Sequence, residues 1–179
     1  MKTILQSLRI YIVLTVLTGV IYPLAMTGIA QLCFPKQANG SRVVENGQPI
    51  GSDLLAQKFE SHRYFWPRPS AADCVTVPSG ASNKGPTSAD LKKSIHKRRQ
   101  RFGADAPIDL LTASGSGLDP HISPEAARLQ IPRVAAARSI SIQKISELVD
   151  QTIEPPQLGF LGEPRVNVLR LNRTLDELR

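Results

Sequence analysis

Hydrophobic positions are distributed in two unequal ways along this chain. From Ile10 to Phe34 they run together: IYIVLTVLTGVIYPLAMTGIAQLCF contains no Lys, Arg, Asp, Glu or His. At about 1.5 Å per residue a helix over this run would be roughly 37 Å long, more than the roughly 30 Å hydrocarbon core of a bilayer. Twelve of its positions are Ile, Leu, Val or Phe. Together they favour insertion by roughly 4 to 7 kcal/mol, and no charge opposes them. Three other readings fit less well. A cleaved signal would need a shorter apolar region than one passing Thr27-Gly28-Ile29-Ala30. A lipoprotein signal would need small residues before Cys33, where Gln31-Leu32 stand. A buried soluble helix would not lack charged residues for so many turns. The expectation is a membrane helix over 10–34, kinked at Pro23, after a short cytoplasmic segment 1–9.

Beyond Phe34 the apolar positions are dispersed among polar ones and predict short elements. Glu45-Asn46-Gly47 is a hairpin signal between Arg42-Val43-Val44 and Gln48-Pro49-Ile50. Ser52-Asp53 predicts the cap of a short helix carrying Leu54, Leu55 and Phe59. Tyr64-Phe65-Trp66 reads as packing for the proline-rich loop that follows, with a partner-facing anchor as the alternative. A helix is expected over Ala89–Phe102, and a short strand over Ile108–Thr112. Ser123-Pro124-Glu125 starts another helix, which should bend or break near Pro132. Ser141 caps a helix with Ile142, Ile145, Leu148, Val149 and Ile153 on one face. Arg165–Leu171 alternates like a strand, and Asn172 is placed to cap a final short helix. The expected class is α+β: one N-terminal transmembrane helix, then a single loop-rich domain over 35–179.

Composition sharpens this only slightly. Fourteen prolines and twelve glycines agree with many loops, and the formal net charge is +7. Lys2 and Arg9 precede the apolar run, leaving +5 for the domain. That balance suits an anionic membrane surface, an acidic partner or nucleic acid. Aromatics at 5% make the stacking platforms of single-strand binders scarce. The helix over 89–102 concentrates Lys92, Lys93, Lys97, Arg98, Arg99 and Arg101, which reads first as a solvated face and then as a contact for headgroups or an acidic partner. Cys33 and Cys74 have no spacing that suggests a disulfide or a metal site. Charge on the two sides of the apolar run is nearly balanced, and the reading taken is N-terminus inside, domain outside.

The catalytic motifs fail on residue identity. In PSGASNKGPTS, Gly80 and Gly85 have phosphate-loop separation and Thr87 the hydroxyl position, but Pro86 replaces the lysine. No serine in Ser114-Gly115-Ser116-Gly117-Leu118-Asp119-Pro120-His121 has both glycines of a nucleophile elbow, and Pro120 occupies the third glycine position of a dinucleotide loop. Asp119 and His121 could contribute to a metal site or half a triad, though two such side chains make a weak constellation. Hydrogen bonding to the loop backbone is the simpler role.

The run TASGSGLDPHISPEAARLQIPRVAAAR, Thr112–Arg138, resembles the C subunit family of the Kdp potassium-transporting ATPase. Shorter pieces extend the likeness along most of the chain: Tyr22-Pro23-Leu24, Gln37–Ser41, Gly51–Phe59, Arg68-Pro69-Ser70-Ala71, Ser79–Asn83 and Gly162–Asn167. Ala81 and Lys84 depart from a more glycine-rich, apolar version of their loop. The resemblance implies a non-catalytic accessory subunit of a bacterial inner-membrane potassium uptake complex, with a periplasmic domain. Its implied partners are a channel-like A subunit, a P-type ATPase B subunit and a small F subunit, besides membrane lipid and excluding nucleic acid. It also implies a chaperone role that raises the ATPase subunit's affinity for ATP. ATP is a cofactor by that attribution alone, and no metal or catalytic residue follows. The loops with Ser79, Gly80, Ser82 and Asn83, and with Ser114, Gly115, Ser116, Gly117, Leu118, Asp119 and His121, become the candidate partner contacts at the mouth of the potassium pathway. The alternative is an anchored periplasmic enzyme or binding module using Asp119 and His121.

Overall fold

The structure, a computed structural model, describes residues 1–45 and 47–178. The chain forms two compact units, Met1–Arg42 and the remainder from Val43. Each is described by itself.

The first unit is helical. Helix α1 (Lys2–Val16) passes through a π-helical segment, Leu17–Ile21, into α2 (Tyr22–Cys33). The whole of Lys2–Cys33 is long and apolar enough to cross a membrane, and the helix starts at Lys2 rather than at Ile10. No residue of α1 or α2 is buried. Pro23 was expected to kink the helix, and here the chain widens just before it. Proline has no N–H for the carbonyl one turn back, and a π segment absorbs such a defect without a break. Two hydroxyls in the run are satisfied internally: Thr18 donates to the Leu14 carbonyl at 2.8 Å and Thr27 to that of Pro23 at 2.7 Å. Pro35 disfavours helical geometry at Phe34, which ends α2 and begins the single turn α3 (Pro35–Ala38).

In the second unit β1 (Arg42–Glu45) and β2 (Gln48–Ser52) form a two-stranded sheet. Of the turn pair between them, Asn46 lies outside the described residues, and Gly47 has φ +78°. The helix expected after Ser52 does not form. The Ser52 hydroxyl accepts from the Leu54 amide at 3.1 Å in a tight turn, and Leu54 is exposed, so there is no apolar stripe for a helix to bury. The chain from Asp53 to Ser88 is irregular, followed by α4 (Ala89–Phe102) with its cap at Ser88.

Ile108–Thr112 is not a strand. It forms one helical turn, α5 (Ile108–Leu111), with Leu110 and Leu111 both buried. Adjacent residues of a strand point to opposite faces, so two neighbours entering one core suit a turn better. Next come β3 (His121–Ile122), α6 (Pro124–Arg138), α7 (Ile142–Thr152) and β4 (Ile153–Glu154). The unit ends with β5 (Arg165–Asn167) and α8 (Val168–Glu177). Strand β5 is central to an antiparallel sheet in the order β3-β5-β4, with Ile122 and Ile153 both opposite Val166.

Two expectations are corrected in α6 and α8. Helix α6 continues through Pro132: the carbonyl that proline leaves free belongs to exposed Arg128, where water can reach it, while Ile131, Val134 and Ala135 bury the other face. The strand over Arg165–Leu171 stops at Asn167, whose Oδ1 accepts from the Arg170 amide at 3.1 Å and starts α8. Asn172 is therefore inside the helix. It faces the core beside Val168, Leu171 and Leu175, at helical spacing.

The core gathers α6, α7 and α8 over the three-stranded sheet, around Ile122, Ile131, Val134, Ile145, Val149, Val166, Leu171 and Leu175. Phe65 enters it from the irregular segment with no exposed surface. Its amide donates to Asn172 Oδ1 at 2.8 Å, and Asn172 Nδ2 donates to its carbonyl at 3.0 Å. Gln130 repeats the pattern one residue on: the Trp66 amide donates to Oε1 at 2.8 Å, and Nε2 donates to the Trp66 carbonyl at 3.2 Å. Two buried side-chain amides thus take the place of a neighbouring strand. Replacing Asn172 with Leu should destabilise the fold by about 3 kcal/mol, because a buried N–H and C=O lose their partners together. Denaturant unfolding of the full-length protein in detergent measures this.

Candidate functional site

The Tyr64–Ser70 segment comes first, because both candidate loops rest on it. Trp66 is buried, and the guanidinium carbons of Arg101 and Arg133 lie 3.7 and 3.6 Å from its ring centroid. Two cations so close to one centroid must take opposite faces of the indole. Arg133 also donates to the carbonyls of His62 and Tyr64 at 2.8 and 3.0 Å, and Arg138 to that of Arg63 at 2.7 Å. Burial, helped by the neighbouring Arg101 charge, brings Arg133 down to about 10, which leaves it charged at neutral pH. The aromatic cluster is packing, and it is held by Arg101 of α4 with Arg133 and Arg138 of α6.

Past Trp66 the segment supports the Ser114–His121 loop. The Ser114 amide donates to the Pro69 carbonyl at 2.9 Å, and Arg68 Nη1 donates to Asp119 Oδ2 at 2.8 Å. Asp119 Oδ1 accepts from the His121 amide at 3.0 Å and lies 3.5 Å from the His121 Nδ1. The loop is pinned at two further points, by the Ala56 amide on the Leu118 carbonyl at 2.8 Å and the Val168 amide on the Pro120 carbonyl at 3.0 Å. Partial burial alone would push the Asp119 carboxyl up. The hydrogen bonds from the His121 ring and amide, together with Arg68, outweigh it and hold the carboxyl at about 2.

The two candidate loops, far apart in sequence, meet here. The Ser79 hydroxyl donates to the Ser116 carbonyl at 2.6 Å. Gly117 sits at φ +72° with its missing Cβ position only 2.9 Å from the Gly80 carbonyl and 3.1 Å from the Ser79 hydroxyl. Glycine is required on both counts, conformation and space. The expected contact residues then separate by exposure. Ser79, Ser82, Asn83, Gly115 and Ser116 face outward, and Gly80, Leu118, Asp119 and His121 are half-buried. Ser114 and Gly117 are buried and act as internal supports.

Asp119 accepts from Arg68 and the His121 amide, and the described residues contain no group of three or more His, Cys, Asp or Glu that could hold a metal. For ATP, the loop lacks the means to cradle phosphates: Pro86 has no N–H, and the Ser79 hydroxyl is committed to Ser116. The sequence did not single out Gln130 or Arg133, and it gave Arg68 and Asn172 other roles. Each acts on residues dozens of positions away, so nothing in its local pattern marks it.

Two measurements check this geometry. Gly117→Ala should destabilise the domain by roughly 1–2 kcal/mol and loosen the contact with the Ser79 loop, seen as faster proteolysis over residues 79–85. The depressed Asp119 pKa makes a stabilising contribution that is complete above its ordinary value of 3.8 and is lost as pH falls through about 2. It amounts to about 2 kcal/mol, and Asp119→Asn should remove that part of the acid dependence in pH-resolved unfolding.

Comparison with known proteins agrees in one direction. The family described as "K+-transporting ATPase, c chain" matches residues 4–177. A potassium-transporting ATPase KdpC subunit of Geotalea uraniireducens is 48% identical, over 99% of each chain. That of Methylococcus capsulatus is 49% identical over 97% of this chain and 96% of its own, and that of Rhodospirillum rubrum 50% over 99% and 96%. The apolar N-terminal helix, the α+β domain and the Thr112–Arg138 run are shared context for one conclusion: this chain belongs to the KdpC family, the C subunit of potassium-transporting ATPases.

Proposed function

We propose that the chain is a non-catalytic accessory subunit, held in the bacterial inner membrane by one span and needed for assembly of the potassium uptake complex. The observation that carries this reading is the helix from Lys2 to Cys33, which buries no residue and has no charge from Ile10 onward. A surface so apolar is covered by lipid and by helices of other subunits. In this reading residues 1–9 are cytoplasmic, 10–34 span the membrane and 35–179 form the periplasmic domain. The neighbours are the channel-like A subunit, the P-type ATPase B subunit and the small F subunit.

The domain's part is to sit at the outer mouth of the potassium pathway, with the joined Ser79–Asn83 and Ser114–His121 loops as the contact. Their exposed edge of small polar residues on a pinned backbone suits a surface that docks with little loss of conformational freedom. Any effect on ATP affinity acts through the ATPase subunit's own nucleotide site, since the phosphate-loop segment of this chain is unsuited to the task. Deleting residues 1–34 should abolish co-purification with the transport subunits; recovery at normal yield would end the reading. Ser82→Trp with Gly115→Trp should weaken the assembled complex roughly tenfold or more while leaving the melting temperature of the isolated full-length chain unchanged.

A further inference from the structure

Helix α4 carries six Lys and Arg residues against one acid, Asp90. Among the described residues Lys84, Lys92, Lys93, Lys97, Arg98 and Arg99 meet no carboxylate, whereas Arg128 and Arg138 of α6 and Arg170 of α8 each do. Part of this charge is recessed. Leu91, Ser94 and Arg98, three and seven residues apart on one face of α4, line a cleft of about 470 Å³ whose other wall is Ser70, Ser82 and Lys84. Ser70 and Arg98 also line an adjoining cleft of about 160 Å³ that reaches Arg101. The larger cleft is a groove beside the helix with Lys84 and Arg98 in its walls, and the smaller one shares Ser70 and Arg98 with it. The smaller cleft is also lined by two acids, Glu60 and Asp73, which share Lys58 at 3.0 and 2.6 Å; the larger is lined by no acid.

From this groove we infer a docking site for an acidic, extended segment of a neighbouring protein, whose carboxylates pair with Lys84 and Arg98. Charge complementarity selects the class of partner. Concavity selects among anionic partners: a flat layer of headgroups meets the outward Lys92, Lys93 and Lys97, and a peptide chain enters the groove. Arg98 is pre-positioned, its Nη1 donating to the Leu111 carbonyl at 2.7 Å, so little side-chain freedom remains to be lost. Partial burial lowers its pKa from the ordinary value, as for a cation short of counter-charge. Ser82 adds an exposed hydroxyl beside the cations, whereas that of Ser94 donates to the Asp90 carbonyl at 2.8 Å and that of Ser70 accepts from the Ala72 and Cys74 amides.

The test is fluorescence anisotropy of a fluorescein-labelled octaglutamate peptide titrated with the full-length chain in non-ionic detergent, at about 0.15 M salt to screen distant charges. Lys84→Glu with Ser94→Glu should weaken binding about tenfold or more. Lys92→Glu with Lys93→Glu changes the net charge further but lies outside the groove, and should alter binding by no more than about twofold. Absence of saturable peptide binding, or equal losses in the two double variants, overturns the proposal. So does a groove variant that keeps the peptide and instead loses binding to phosphatidylglycerol nanodiscs, which would assign the groove to lipid. Circular dichroism of both variants confirms that the helix is retained.

Discussion

The backbone of two residues, Phe65 and Trp66, is the constraint on which the second unit depends. No strand lies beside them, yet their amides and carbonyls are buried and must be satisfied. Asn172 of α8 and Gln130 of α6 each present a donor and an acceptor to one of them. An unpaired amide in that position would cost more than the bond itself contributes, so the irregular segment has one seat and no close alternative. Arg133 and Arg138 then fasten the preceding carbonyls, and the arginines at Trp66 close the indole from both sides.

This anchoring explains how a loop-rich domain presents a defined surface. Phe65 and Trp66 fix the start of the proline-rich run, and two residues later Arg68 reaches Asp119 while Pro69 receives the Ser114 amide. The Ser114–His121 loop inherits its position from there, and Gly117 lets the Ser79 loop lie against it. The joined loops therefore follow from packing on α6 and α8, although no residue of either helix belongs to them. The same segment forms a wall of the groove along α4, so one set of buried amides positions both surfaces.

How much of this was legible depended on the range of the interaction. The caps at Ser123 and Ser141 were readable because each hydroxyl accepts from an amide three residues ahead. The contact between the candidate loops was not, since Ser79 and Gly117 carry no mark of each other. Asn172 looked like a cap because asparagine after a strand-like pattern usually is one. Asn167 took that role, and burial of Val168 and Leu169 together showed that the alternation was coincidental.

What the sequence by itself determined is the membrane-length helix, the α+β class, the helix starts at Ser123 and Ser141, and the family. These rest on runs and short spacings, where the physics is settled within a few residues or by transfer from water to an apolar phase. Only the tertiary structure decided that Ile108–Leu111 is a turn of helix, that Pro132 is absorbed and that Gln130 and Asn172 stand in for a strand. Each is a choice between local states of similar energy, and contacts supplied by distant parts of the chain settle it.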